Sequence, residues 1–227
     1  MASPVPAFAR DPVAAEYYDR RAGEYDDWYA GVGRFADRYL PGWSAELNRL
    51  VEFVQSRSPA RTVDLACGSG FLTRHLRGPL VVGVDQSPAM VGLARGRIAR
   101  GVVIIANALA LPFPDGAFER IVTGHFYGHL PVDERRVFLA ECRRVGRELI
   151  VIDSALRPGI EPEQWHERVL NDGARYRIYK RYLGAGELAA EIGGEVELDG
   201  SWFVAARALQ DRDDHEAADA TRRRTGT

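Results

Sequence analysis

Apolar residues recur along the chain with two different periods, and the change falls near Pro59. Between Val13 and Gln55 the spacing is helical. Leu47, Leu50, Val51 and Val54 repeat at i, i+3, i+4 and i+7, which lines one helix face, and Ser44 is placed to cap it. After Pro59 short β-branched runs take over, at Thr62–Leu65, Leu80–Val84, Val102–Ile105, Phe118–Val122 and Leu149–Ile152. The gaps predict helices over about 71–77, 88–99 and 132–145, with Ser87-Pro88 as cap and first helical residue and Pro131 opening the third. Apolar strands alternating with helices predict a parallel sheet covered on both faces. Gly194–Leu198 and Trp202–Ala206, joined by Asp199-Gly200-Ser201, predict an antiparallel hairpin at its edge. The expected class is α/β, a doubly wound and mostly parallel sheet with a C-terminal antiparallel hairpin.

Composition narrows the chemistry. The 227 residues carry 30 Lys+Arg against 32 Asp+Glu, and 29 of the 30 are arginine. Arginine stays protonated, so amine chemistry reduces to Lys180 or the N-terminus. A G-x-x-x-x-G-K-[ST] phosphate loop is excluded, because Tyr179 and Arg181 flank that lysine, and the protein-kinase set lacks its strand lysine and D-F-G triplet. Hydrophobic residues make up 46%, enough for a full core. Cys67 and Cys142 give no disulfide framework and point to a reducing compartment. The first twelve residues contain Pro4, Pro6 and Pro12 but no apolar run resembling a signal peptide, and no stretch reaches the ~18 apolar residues of a membrane helix. A cytoplasmic protein without a membrane partner is expected. The predicted organisation is a flexible N-terminus over 1–12 and one domain over 13–210, with a disordered tail over 211–227. Within the domain, 13–57 forms a helical cap and 155–183 an insertion. The tail mixes five acids with four arginines and has no large apolar side chain.

The most specific signal is Thr62-Val63-Asp64-Leu65-Ala66-Cys67-Gly68-Ser69-Gly70-Phe71, an apolar strand running into a turn of small residues. At the carboxyl end of a first strand such a turn lets a ligand approach the backbone. Asp85 ends the next strand, twenty-one residues after Asp64, where a carboxylate accepts from ribose hydroxyls. A dinucleotide fingerprint fits poorly, because Thr73 stands at its third glycine and Asp64 suits an ammonium group better than two phosphates.

Asp64-x-Ala66-x-Gly68-x-Gly70, then Val84-Asp85-Gln86-Ser87-Pro88-Ala89-Met90, then Asn107-Ala108-Leu109-Ala110-Leu111-Pro112-Phe113-Pro114-Asp115-Gly116-Ala117-Phe118 resemble the class I S-adenosylmethionine-dependent methyltransferases. The resemblance spans roughly 13–207 and implies a Rossmann-like fold, S-adenosyl-L-methionine as cofactor and S-adenosyl-L-homocysteine as product. It implies that the backbone from Ala66 to Gly70 holds the methionine part, with Asp64 toward the ammonium. Asp85 would take the ribose hydroxyls, Gln86 and Met90 would flank the adenine, and Asn107 and Ala108 would meet its edge. Tyr17 and Tyr25 would close over the methionine end. Ala66 replaces the first glycine of the usual pattern, a modest change if its φ stays negative. Asn107 stands where aspartate is common, and an amide both donates and accepts.

The acceptor side rests on Thr123-Gly124-His125-Phe126-Tyr127-Gly128-His129-Leu130, after the fourth strand. His125 and His129 are the candidate catalytic bases, with His125 also placed to touch the cofactor. The five histidines are dispersed, and no metal is expected. The Asn/Asp-Pro-Pro-aromatic tetrad of enzymes that methylate base amines is Gly-His-Phe-Tyr here, which counts against a nucleic-acid acceptor. Tyr127, Asp153, Arg175 and Tyr179 are the candidate acceptor contacts, the last two within a substrate lid over 155–183. The expected activity is methyl transfer to an O or N atom of a small molecule, by a monomer or homodimer. Two alternatives remain: a nucleic-acid-directed methyltransferase using the basic and aromatic run Arg175–Tyr182, and a protein that binds the cofactor without transferring methyl.

Overall fold

The structure, a computed structural model, describes residues 8, 9, 11–33, 36 and 40–210. The predicted tail over 211–227 and residues 1–7 and 10 of the predicted flexible N-terminus lie outside the described residues. Strands β1 (Thr62–Leu65), β2 (Val81–Asp85), β3 (Val102–Ile105), β4 (Arg120–Gly124) and β5 (Glu148–Ser154) form the parallel part of the main sheet. The hairpin Glu195–Asp199 and Phe203–Leu209 (β8, β9) joins β5 in antiparallel register. The order is β3-β2-β1-β4-β5-β9-β8, so the chain reverses direction between β1 and β4. A crevice opens at the carboxyl ends of strands on either side of such a switch.

Burial explains the continuous apolar runs. Val63 and Leu65 of β1, Ile121 of β4 and Leu149 and Val151 of β5 are sealed by α5 (Val132–Val145), through Phe138, Cys142 and Val145. α6 (Ala185–Ile192) completes that layer with Leu188 and Ile192. The opposite face takes α3 (Trp43–Gln55), whose Leu50, Phe53 and Val54 pack with Val122, Ile150 and Ile152. α4 (Pro88–Arg97) covers β2 and β3 with Val91 and Ala94. Ser87 caps it as predicted, accepting from the Met90 N–H at 3.1 Å ahead of Pro88.

Some local expectations change. The helix predicted over 71–77 is a single 3₁₀ turn, Thr73–His75, after which Leu76 is extended; the Thr73 hydroxyl is held by Asp64 at 2.6 Å. Ser44 lies inside α3, whose cap is Gly42 at φ 76°. Segment 155–183 is a two-stranded antiparallel sheet of its own, β6 (Glu163–Val169) and β7 (Arg175–Arg181). The N-terminus is anchored rather than flexible at Phe8 and Ala9. Both are buried, and their N–H groups donate to the Glu134 Oε2 at 2.8 and 3.0 Å.

Candidate active site

Four strand ends meet at the switch point. The β1 turn needs left-handed backbone at Ala66 (φ 55°), Gly68 (φ 54°) and Gly70 (φ 79°). The expectation of a negative φ at Ala66 is therefore corrected: an L-residue occupies a glycine conformation, a strain of about 1–2 kcal/mol. The turn is held by Cys67 N–H to Val84 O and Gly70 N–H to Cys67 O, at 2.9 and 3.0 Å. Gly70 is also fixed by packing, since a Cβ there would lie 3.2 Å from the Ala94 Cα of α4.

Two carboxylates brace this turn. Asp85 Oδ2 accepts from Gly68 N–H at 2.8 Å, and Oδ1 accepts from Ser87 N–H at 2.9 Å. Burial pushes the Asp85 carboxyl up, and the N–H donors of Ser87, Gly68 and Gln86 counter it. Asp64 is pushed up to about 7 by burial, with the Thr73 hydrogen bond opposing and Asp85 adding to the rise.

The pocket beside the turn is lined by Tyr25, Ala66, Gly68, Asp85, Gln86, Met90, Asn107, Ala108 and His125, which brings together nine of the predicted cofactor residues. Gly70 packs behind the turn, and Asp64 lies in a small adjoining recess with Tyr25 and Tyr29. Asn107 Oδ1 accepts from Leu109 N–H at 2.8 Å, so its amide donor is the group left for a ligand edge. Tyr25 lines the pocket, but Tyr17 does not. Tyr17 is buried, and its hydroxyl accepts from Arg21 at 2.6 Å. Tyr18 takes the place predicted for it. Spacing does not separate the two, since Tyr17 stands four and eight residues before Arg21 and Tyr25, and Tyr18 stands three and seven.

Short ties hold the helical cap over this pocket. In α1 (Pro12–Arg21), Asp19 Oδ1 accepts from Ser87 Oγ at 2.8 Å and from Ala89 N–H at 3.0 Å. Asp26 accepts from Ser69 Oγ at 2.6 Å and pairs with Arg97. Phe8 and Ala9 complete the wall, with Phe8 stacked on His129 at 4.7 Å.

A second cavity of about 460 Å³ adjoins the first. Tyr18, Tyr25, His125 and His129 line both. His125 has φ 59°, a side chain only 8% exposed, and two ring nitrogens without a hydrogen-bond partner. Burial lowers it to about 4, against the raising influence of Asp153, so it is neutral at physiological pH. His129 is held differently: Nδ1 lies 2.6 Å from Tyr179 O and therefore donates, leaving Nε2 to accept from Tyr18 Oη at 3.3 Å. Burial drives it well below the ordinary imidazole value.

The predicted acceptor contacts lie elsewhere. Tyr127 is buried and its hydroxyl donates to Glu191 at 3.0 Å. Asp153 is fully buried beneath the cavity, pairs with Lys180 and accepts from Gly128 N–H at 2.7 Å. Arg175 pairs with Glu167 on the exposed face of the hairpin, and Tyr179 packs against Trp165. The reason is strand alternation. Odd positions of β6 and β7 turn away from the cavity, while His166, Arg168, Lys180 and Tyr182 line it. Arg21, Trp28, Arg157 and Trp202 are further lining residues that no motif indicated.

Residues 63–149 match the family model for a methyltransferase domain. A demethylmenaquinone methyltransferase of Thermus thermophilus is 35% identical over 137 residues, covering 54% of this chain and 61% of the relative. Ajmaline N-methyltransferase of Rauvolfia serpentina is 28% identical over 187 residues, covering 69% and 64%. The chain thus spans less than two thirds of either relative. Among solved structures, a DhpI–SAH complex superposes with a TM-score of 0.70 at 22% identity, covering 91% of this chain and 98% of that one. The strand order, the switch-point turn and these matches define a class I methyltransferase fold. Over residues 63–149 the chain is thus similar to the methyltransferase domain family.

Proposed function

We propose that the protein transfers a methyl group from S-adenosylmethionine to an oxygen or nitrogen of a small molecule. The observation that carries this reading is the wall shared by the two cavities, which lets a donor and an acceptor meet at Tyr18, Tyr25, His125 and His129. When bound, the cofactor supplies a sulfonium methyl, whose C–S bond breaks as the bond to the acceptor forms and whose sulfur keeps the electron pair. The chain's residues fit that ligand. The turn presents Gly68 to the pocket in a left-handed conformation, φ 54°, and Asp64 offers the amino-acid end an anion. Asp85 faces the ribose position, Gln86 and Met90 flank the adenine, and Asn107 and Ala108 meet its edge. Orientation and exclusion of water are the protein's main contributions, and alignment alone supplies ~7 kcal/mol or more. His125, neutral and with both nitrogens unpartnered, is the group able to take a proton from an acceptor. His129 instead orients Tyr18.

The cavity volume suits a small acceptor, and the names of both curated relatives describe small-molecule methyltransferases. The basic and aromatic run is not an open stacking surface: Arg175 and Arg181 pair with glutamates, and Tyr179 and Lys180 are buried. Saturating S-adenosylmethionine, at about 100 times its Kd, is expected to raise the Tm by roughly 5–10 °C, while NAD leaves it unchanged. Stabilisation by NAD alone would overturn the cofactor reading.

Asp64 supplies a second expectation. Its carboxyl sits near 7 before ligand binds, and an ammonium beside it favours the ionised form. S-adenosylhomocysteine affinity should therefore fall as pH drops from 8 to 6, with proton release on binding. Calorimetry in buffers of different ionisation enthalpy measures that proton; its absence in wild type would place the ammonium away from Asp64.

A further inference from the structure

We propose that the second cavity is an oxyanion site, so that the acceptor carries a carboxylate or phosphoryl group held by Arg157 and Arg168 with Arg21 beside them. The inference rests on reading that cavity as the acceptor side. Its basis is a charge imbalance: among the described residues lining it are three arginines and Lys180, and none is an aspartate or glutamate. Lys180 is already answered by Asp153 beneath it. The three arginines are half-buried, and none makes an ion pair with a described carboxylate.

Other arginines removed from water in this chain are treated differently. Arg120 pairs with Glu148 at 2.5 Å, Arg144 with Glu141 at 2.8 Å, and Arg181 with Glu187 at 2.7 Å. A guanidinium withdrawn from water without an anion is costly, and here the missing anion has a cavity to occupy. The guanidinium groups are also oriented. Arg157 lies 4.1 Å over the Trp202 ring, which leaves its N–H edge for a ligand, while Arg21 lies 5.0 Å over the Tyr25 ring and gives one of its N–H groups to the Tyr17 hydroxyl. Arg168 comes from the cavity-facing positions of β6, while Arg177, on the opposite face of the hairpin, stacks on Trp165. Planar guanidinium groups bind carboxylate and phosphoryl oxygens through paired N–H donors. Trp28 and Trp43 line the same cavity and offer apolar surface to the rest of such a molecule.

The test uses the full chain and three probes of one shape: benzoate, phenylphosphonate and neutral benzamide, titrated by tryptophan fluorescence with and without saturating S-adenosylhomocysteine. Benzoate, phenylphosphonate or both should bind at least about tenfold more tightly than benzamide, and whichever wins identifies the oxyanion. Arg157→Gln and Arg168→Gln should each weaken that probe about tenfold or more, while Arg177→Gln changes nothing. Equal binding of benzamide and both anions, or no effect of either glutamine variant, overturns the proposal. If a glutamine variant does not fold, the comparison of probes on wild type still decides. S-adenosylhomocysteine binding without any oxyanion binding overturns this inference alone. Oxyanion binding without S-adenosylhomocysteine binding upholds it and overturns the cofactor reading.

Discussion

Lys180→Met is expected to lower unfolding free energy by about 3–5 kcal/mol, because it removes the cation from a carboxylate that has no access to water. Asp153 is fully buried, and the Lys180 side chain is 5% exposed. Burial pushes the Asp153 carboxyl up, but Lys180, His125 and the Gly128 N–H outweigh it, and the net direction is down. A carboxyl held below its unfolded value stabilises the fold above the ordinary carboxylate range, and that contribution is lost as pH falls through the folded value. The difference between wild type and variant should therefore be largest at neutral pH and shrink on acidification. Asp153→Asn with Lys180→Met removes both charges, and should recover most of the loss, to within ~2 kcal/mol of wild type. Urea denaturation followed by circular dichroism, without ligand, measures all three. A loss under ~1 kcal/mol in the single variant would show that the pair is dispensable. The chain's only lysine is thus turned from water and committed to a buried carboxylate.

The main sheet was legible because its central strands β1, β2, β4 and β5 are buried on both faces, which makes them mostly apolar. The switch-point acids were legible because Asp64 and Asp85 stand at the carboxyl ends of β1 and β2. Three things were hidden. The hairpin at 163–181 carries charges and aromatics on both faces, so its composition did not reveal which alternate set turns inward. The sequence points to Arg175 and Tyr179, whereas Arg168, Lys180 and Tyr182 line the cavity. A positive φ leaves no mark on residue identity at Ala66, yet the turn between Leu65 and Gly68 imposes one. Arg157 and Trp202 are far apart in sequence and meet only because the strand β9 returns beside β5.

Asp85→Ala should weaken S-adenosylhomocysteine binding by at least about a hundredfold. The carboxylate holds the turn at Gly68 and the start of α4 at Ser87 with one oxygen each. Hydrogen bonds to a charged group contribute ~1.5–3 kcal/mol apiece, and 2.7 kcal/mol is already about a hundredfold in affinity. Each carboxylate oxygen retains a second lone-pair direction for a ribose hydroxyl. The alanine variant therefore combines a loosened turn with a missing contact, and a cycle separates the two. Removing the 2′-hydroxyl from the ligand should cost wild type about tenfold by calorimetry and the alanine variant much less, because the partner is gone. An equal cost in both proteins would leave Asp85 as a brace for the turn and assign the ribose to another residue. Asp85→Asn sharpens the distinction. It keeps one acceptor oxygen but sets an amide donor against a backbone N–H, so it should fall between wild type and alanine. Wild-type affinity in the alanine variant, with the fold intact, would remove Asp85 from the cofactor site.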